Sequence, residues 1–274
     1  MTCHICLIGV LCDAVFGSPT YARVISINIE GQPMRGYLPP SIGNFPSLTE
    51  MVFYKTKING SLPSSIGQLT SLKTLIFVNN YFKSYVPDSL QTLTSLKTLI
   101  LSNCTFYGMI PTSFSKLTLL TDLRLSGNYL VGTIPYFYSR MQSLTRLSLE
   151  NNYLSGSLPS SLGDMISFTD VVFHDNSFSG TIPDSFSALT ALGYLDLSNN
   201  YLTTGTYSSL FTSKFSDFTL SQYLFLDGNC LVFNTDIPLR RVVANHCSGM
   251  GGALTHIIYF YLLCDTSISR IISS

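Results

Sequence analysis

The groups with which this chain could do chemistry are its four histidines, seven cysteines and a set of carboxylates and arginines spaced along its middle. His174 is the most suggestive, because Asp170 and Asp175 lie close to it in sequence. A His beside carboxylates can hold a metal or move a proton, but a lone His on a solvated strand is more commonly structural. His246 adjoins Cys247 and reads as structural too. No Ser-His-Asp or Cys-His pairing can be argued, since most serines recur at the same loop positions and so have a structural reason to be there. A kinase would need a Gly-rich nucleotide loop, His-Arg-Asp and Asp-Phe-Gly, none of which occurs, and Gly249-Met-Gly-Gly252 is not a phosphate loop. The expectation is a non-enzyme with no catalytic residue, no metal and no cofactor. Net charge is zero and only 11% of residues are charged, which makes nucleic acid a poor partner.

The elements that position these groups follow from a proline that recurs every 24 residues, at Pro39, Pro63, Pro87, Pro111, Pro135, Pro159 and Pro183. Self-similarity at such a period means one supersecondary unit stacked many times. Aligned on the proline, the unit reads L-x-x-L-x-x-L-x-L-x-x-N-x-L-x-G-x-I-P-x-x-L-G-x. Its clearest copy runs through Leu117, Leu120, Leu123, Leu125, Asn128, Leu130, Gly132, Ile134 and Pro135. The L-x-L pair alternates with period two, as a half-buried strand must, and one strand per unit stacks into a parallel sheet. The Asn stands where the chain leaves the strand, where its amide can bond backbone groups that the turn strands without partners. Stacked copies would form a ladder through Asn80, Cys104, Asn128, Asn152, Asn176, Asn200 and Asn229, with Gln32 and Thr56 breaking the series. Cys104 is expected to be buried and free. The Gly admits a tight bend and the Pro fixes the loop that follows.

The repeat resembles that of leucine-rich repeat proteins, specifically the 24-residue plant-type repeat with L-x-G-x-I-P, over roughly Tyr21 to Leu231. The resemblance implies an α/β-type solenoid: a curved right-handed superhelix with a concave parallel β-sheet and an irregular or 3-10 convex side. It also implies a second short strand at Gly-x-Ile-Pro. Such repeats are typical of receptor-like kinase ectodomains, receptor-like proteins and secreted inhibitors, and related ones occur in surface antigens. Cys230 and Cys247 look like the C-terminal cap of this family, closed by a disulfide. Cys6-Leu-Ile-Gly-Val-Leu-Cys12 resembles its N-terminal cap motif, with Leu7 at the Trp position and a spacing one residue short, which makes Cys6 and Cys12 a second candidate disulfide. On this reading residues 1–20 are a cap remnant, with the true start and its secretory signal upstream; the rival is that Met1 to Gly17 is itself a signal peptide. Residues 21–212 are tandem repeats, 213–247 a degenerate repeat and cap, and 248–274 a poorly ordered tail. The apolar run Ala253 to Cys264 is too short for a membrane span, which needs about 20 residues.

Ligand contacts are expected at the strand positions that alternate with the core. Val52, Tyr54, Ile76, Val78 and Ile100 form an apolar patch flanked by Lys55, Lys73 and Lys97. A contiguous apolar patch with a charged rim suits a protein or peptide. β-branched residues also favour strands wherever they fall, which is the competing account. Asp122, Arg124, Arg146, Glu150, Asp170, His174, Asp175 and Asp196 form a charged zone that would clamp a peptide's polar groups or serve only as a solvated ladder of ion pairs. Asn59-Gly-Ser61 and Asn103-Cys-Thr105 are glycosylation sequons, conditional on secretion. The leading expectation is a non-enzymatic module of an extracellular or cell-surface receptor-like protein. It would bind a protein or peptide on the concave face, with the lateral surfaces free for a co-receptor. A secreted enzyme inhibitor and a structural or adhesive surface antigen are the alternatives.

Overall fold

Each L-x-L pair forms a strand because alternate residues must point to opposite faces, and the face that carries the Leu pair is the one buried in every unit. The computed structural model describes residues 10–14, 22–34, 36–136, 140–203 and 223–229. Strands Ala22–Glu30, Glu50–Tyr54, Thr74–Val78, Thr98–Ser102, Asp122–Arg124, Arg146–Ser148, Asp170–Val172, Tyr194–Asp196 and Tyr223–Phe225 pair in sequence order, all parallel. Residues 24 apart face one another, as Leu99 does Leu123 and Leu123 does Leu147. One further strand, Val10–Ala14, pairs antiparallel with Ala22–Glu30 and covers the open N-terminal edge of the sheet. An uncovered edge would present unpaired backbone groups to other chains. Cys6, Cys230, His246 and Cys247, the C-terminal cap and the tail lie outside the described residues.

The proline begins the convex side. Pro63, Pro87, Pro111, Pro159 and Pro183 each precede a five-residue 3-10 helix, such as Ser64–Gln68 or Asp184–Ala188. Their fixed φ and missing N–H suit that boundary. The helices stack so closely that Gly67 has no room for a side chain: a Cβ there would lie 2.5 Å from the Ser89 carbonyl of the next unit. This accounts for the glycine in the L-G step of the repeat.

The second strand lies earlier than Gly-x-Ile-Pro, which corrects the expectation. It runs through Asn59–Gly60, Tyr81–Phe82, Tyr107–Gly108, Tyr129–Gly132, Tyr153–Ser157, Ser177–Gly180 and Tyr201–Leu202, ending near the Gly. The reason is that Pro cannot donate to a ladder, so pairing stops before it.

Between the concave sheet, the flank strands and the helices runs one continuous core. Leu123, Leu125, Leu147 and Leu149 are fully buried, and Phe53, Phe77, Phe82 and Phe106 form a chain of rings with centroids 5.1–5.4 Å apart. The Asn ladder holds one edge of it. Asn152 Nδ2 donates to the carbonyls of Leu125 and Leu149, each at 3.0 Å, and Oδ1 accepts from Leu130 N–H at 3.0 Å. Asn128, Asn176, Asn200 and Asn229 repeat the pattern. Asn80 keeps the bond to the preceding unit, at the Phe53 carbonyl. Thr56 is buried and donates to Asn80 Oδ1, so the ladder reaches one unit further toward the N-terminus than the Asn pattern indicated. Cys104 is buried and free, and its thiol points at the carbonyls of Phe77 and Ser102, each at 3.2 Å. Its sulfur also faces the Asn80 backbone N–H, so it stands in for both the donor and, more weakly, the acceptor of the Asn. Burial pushes this thiol up to about 12.

Candidate functional site

Parallel pairing in register turns each outward strand position into a row across the concave sheet. Val52, Ile76, Ile100, Arg124, Ser148, Val172, Asp196 and Phe225 form the middle row. Glu50, Thr74, Thr98, Asp122, Arg146, Asp170 and Tyr194 form the row before it. Tyr54, Val78 and Ser102 continue the row after it. The apolar residues of the first units are therefore contiguous, and Val52, Tyr54, Ile76, Val78 and Ile100 are all half-buried. Lys73 and Lys97 stand exposed just before their strands, and Lys55 just after its own with its ammonium 4.9 Å from the Tyr54 ring centroid. A cation over a ring face is held by the ring quadrupole.

The charged residues gather over the next four units. Arg124 forks onto Asp122, with Nε at 2.9 Å and Nη2 at 2.8 Å from the two carboxylate oxygens. That bond is the main reason the guanidinium is held even more firmly protonated than usual. Arg146 reaches across to Asp170 of the next strand at 3.3 Å. Ser148 donates to Glu150, and Thr169 donates to Asp170. His174 Nδ1 lies 2.6 Å from Asp175, whose other oxygen accepts from Asn199. Among the described residues no group of three metal-ligating side chains is present. Arg124, Arg146, Ser148, Glu150, Asp170 and Tyr194 line a shallow hollow of about 380 Å³.

Asp196 corrects the assignment of every alternate strand residue to solvent. It is only 8% exposed; its carboxylate accepts from the Ser198 hydroxyl at 2.6 Å and from the Tyr194 hydroxyl at 3.4 Å. Burial, with Asp196 next, raises the Tyr194 pKa. Ser26, Ser102 and Ser198 of the flanking rows are buried as well. Asn59 and Asn103, the sequon residues, are both exposed, Asn59 on a flank strand and Asn103 with φ +53° after its strand.

The sequence reading missed a row of tyrosines on the flank. Tyr81, Tyr129, Tyr153 and Tyr201 each follow a ladder Asn and are more than half exposed, and Tyr129 and Tyr153 stack with centroids 6.0 Å apart. The recurring Asn-Tyr pair was the signal.

Two family models, both described as leucine-rich repeat, match residues 70–130 and 143–165. The chain carries leucine-rich repeats and folds as their solenoid. Its solved neighbours place it with the plant-type repeats. The ectodomain of the Arabidopsis thaliana membrane receptor kinase GASSHO1/SCHENGEN3, solved with CASPARIAN STRIP INTEGRITY FACTOR 2, is 31% identical, with a TM-score of 0.74 over 81% of this chain and 26% of that one. The Arabidopsis receptor kinase HAESA ectodomain, solved with an extended IDA peptide hormone, is 27% identical, with a TM-score of 0.71 over 87% and 44%. A plant ice-binding protein is 25% identical, with a TM-score of 0.59 over 86% and 88%. No curated protein sequence matches this chain. It spans about a third or less of the length of the first receptor ectodomains it resembles (26–33%). Among its described residues no helix is long and apolar enough to cross a membrane.

Proposed function

We propose that the concave sheet captures an extended peptide or protein segment, and that the chain serves as the recognition module of an extracellular, cell-surface receptor-like protein. The observation that carries this reading is the contiguous apolar surface of Val52, Tyr54, Ile76, Val78 and Ile100, continuous with the charged hollow at Arg124 and Arg146. A patch of this kind offers apolar area for affinity and polar groups for register. Likeness to receptor ectodomains solved with peptide ligands supports it. The role is non-enzymatic, and the tyrosine flank is left free for a co-receptor. Panning a displayed library of 15-residue peptides against the full chain tests the reading. Enriched peptides should lose at least tenfold in affinity on Ile76→Asp and keep it on the flank variant Tyr129→Ser. Equal binding to Ile76→Asp and the unchanged chain would sink it.

The length match with the plant ice-binding protein supports a second reading, an ice-binding face. A thermal-hysteresis measurement on the full chain separates the two: a freezing-point gap above that of buffer favours ice.

A further inference from the structure

The chain is neutral overall, yet its charge is divided along its length. Residues 22–116 carry eight Lys or Arg against three Asp or Glu, a net of +5; residues 117–229 carry four against nine, a net of −5. In a solenoid, position in sequence is position in space, so among the described residues the division is a spatial one. It extends to the concave face. In the first half, Lys55, Lys73 and Lys97 border the apolar rows, and none of the three is in an ion pair among the described residues. In the second half, both concave arginines are already spent on Asp122 and Asp170. Glu150, Asp175 and Asp196 have hydroxyl, amide or His174 partners, Asp227 bonds its own backbone, and among the described residues none of the four is in an ion pair with Lys or Arg. The Asp227 pKa is raised, first by burial and then by repulsion from Asp196 and Asp175, which registers the crowding of like charge there.

We propose that the ligand of the concave face is a segment of split charge: acidic and apolar residues over the Val52–Ile100 half, basic residues over the Glu150–Asp227 half. This rests on the reading that the face binds an extended segment. The two halves act separately, because each spans well over the Debye length of about 8 Å at physiological salt. A ligand laid the wrong way meets like charge at both ends, so the division selects direction as well as partner. From Val52 to Phe225 the middle row crosses eight strands. At about 4.8 Å per strand this is about 34 Å, or roughly ten residues of extended chain at ~3.3 Å each.

The test uses three labelled 12-residue peptides of one composition, titrated against the full chain by fluorescence anisotropy. One runs acidic-apolar then basic, one runs in the reverse order, and one interleaves the charges. One block peptide should bind at least tenfold tighter than the interleaved isomer and weaken steeply with salt. Lys73→Glu with Lys97→Glu should cost it at least tenfold. Adding Glu150→Lys and Asp175→Lys should invert the preference to the opposite block peptide; a Lys is already accommodated at the equivalent left-handed position, Lys55. Circular dichroism melts verify that these exposed or half-exposed changes leave the fold intact. If block and interleaved peptides bind equally, and Ile76→Asp abolishes both, peptide capture stands and split charge is overturned. If Ile76→Asp changes nothing, capture falls with it. If no peptide binds, split charge is overturned and the library result alone decides capture.

Discussion

The two halves of the solenoid share one interior and an exposed tyrosine flank, and differ in what their concave strands show to solvent. In the first half the concave strands Glu50–Tyr54, Thr74–Val78 and Thr98–Ser102 are five residues long, and the flank strands Asn59–Gly60 and Tyr81–Phe82 only two. In the second half the concave strands shrink to three residues, as at Arg146–Ser148, while the flank strand Tyr153–Ser157 grows to five. The outward residues change in step. Val, Ile and Tyr, which fit a pleated surface, give way to mixed rows in which Arg, Ser and Asp stand among Val172, Tyr194 and Phe225. The buried residues do not change in step: Leu75 and Leu147 occupy the same place and both are fully buried. The repeat therefore constrains the interior and leaves the concave rows free to encode a partner.

If that division is right, interior changes should cost the same in either half. Leu75→Ala and Leu147→Ala should each destabilise by about 2–5 kcal/mol, since each leaves a cavity in a fully packed row. Urea unfolding measures both. A large loss in one half and a negligible one in the other would mean the halves are separate bodies rather than one stack.

The ladder sharpens the comparison, because it is Asn in the second half and interrupted by Thr56 and Cys104 in the first. Asn152→Ala removes the donor bonds to the Leu125, Leu149 and Glu150 carbonyls and one accepted bond, and leaves buried backbone groups without that partner. A loss of about 1–3 kcal/mol is expected from this. Cys104→Asn should be neutral or stabilising, since an amide oxygen is a stronger acceptor than a thiol sulfur. The thiol also gives a pH signature. Its folded pKa of about 12 lies above the ordinary 9.0, so the unfolded state loses its proton first as pH rises. Stability from this source is complete below pH 9 and is lost between 9 and 12, by at most about 1.4 kcal/mol per pH unit. Denaturation midpoints of the unchanged chain should fall faster across that window than those of Cys104→Asn. Parallel curves would contradict the buried neutral thiol.

The interior was legible because it repeats: Leu, Asn and Pro at fixed offsets report strand, ladder and convex turn without any tertiary knowledge. Three features were not. The edge strand Val10–Ala14 has no copy elsewhere in the chain, so no period marks it. The flank strand was placed too late because Gly and Pro are conspicuous, whereas the backbone pairing that defines it ends before the proline. Asp196 reads as a solvent-facing alternate residue, and only the neighbouring Tyr194 and Ser198 side chains take it out of water. Period two says which way a side chain points, but what then covers it is decided by its neighbours.

The smallest effects belong to the concave rows, and they test whether those rows matter to the fold at all. Ile76→Ala and Arg124→Ala should leave stability nearly unchanged. Arg146→Ala breaks the cross-strand pair to Asp170, whose side chains are 55% and 40% exposed. Ion pairs this open contribute roughly 0–1 kcal/mol and are screened by salt. The difference between Arg146→Ala and the unchanged chain should therefore shrink toward zero as NaCl is raised. A loss above about 2 kcal/mol that persisted in high salt would make Arg146 part of the packing. The second half would then be holding itself together with the residues assigned here to a ligand.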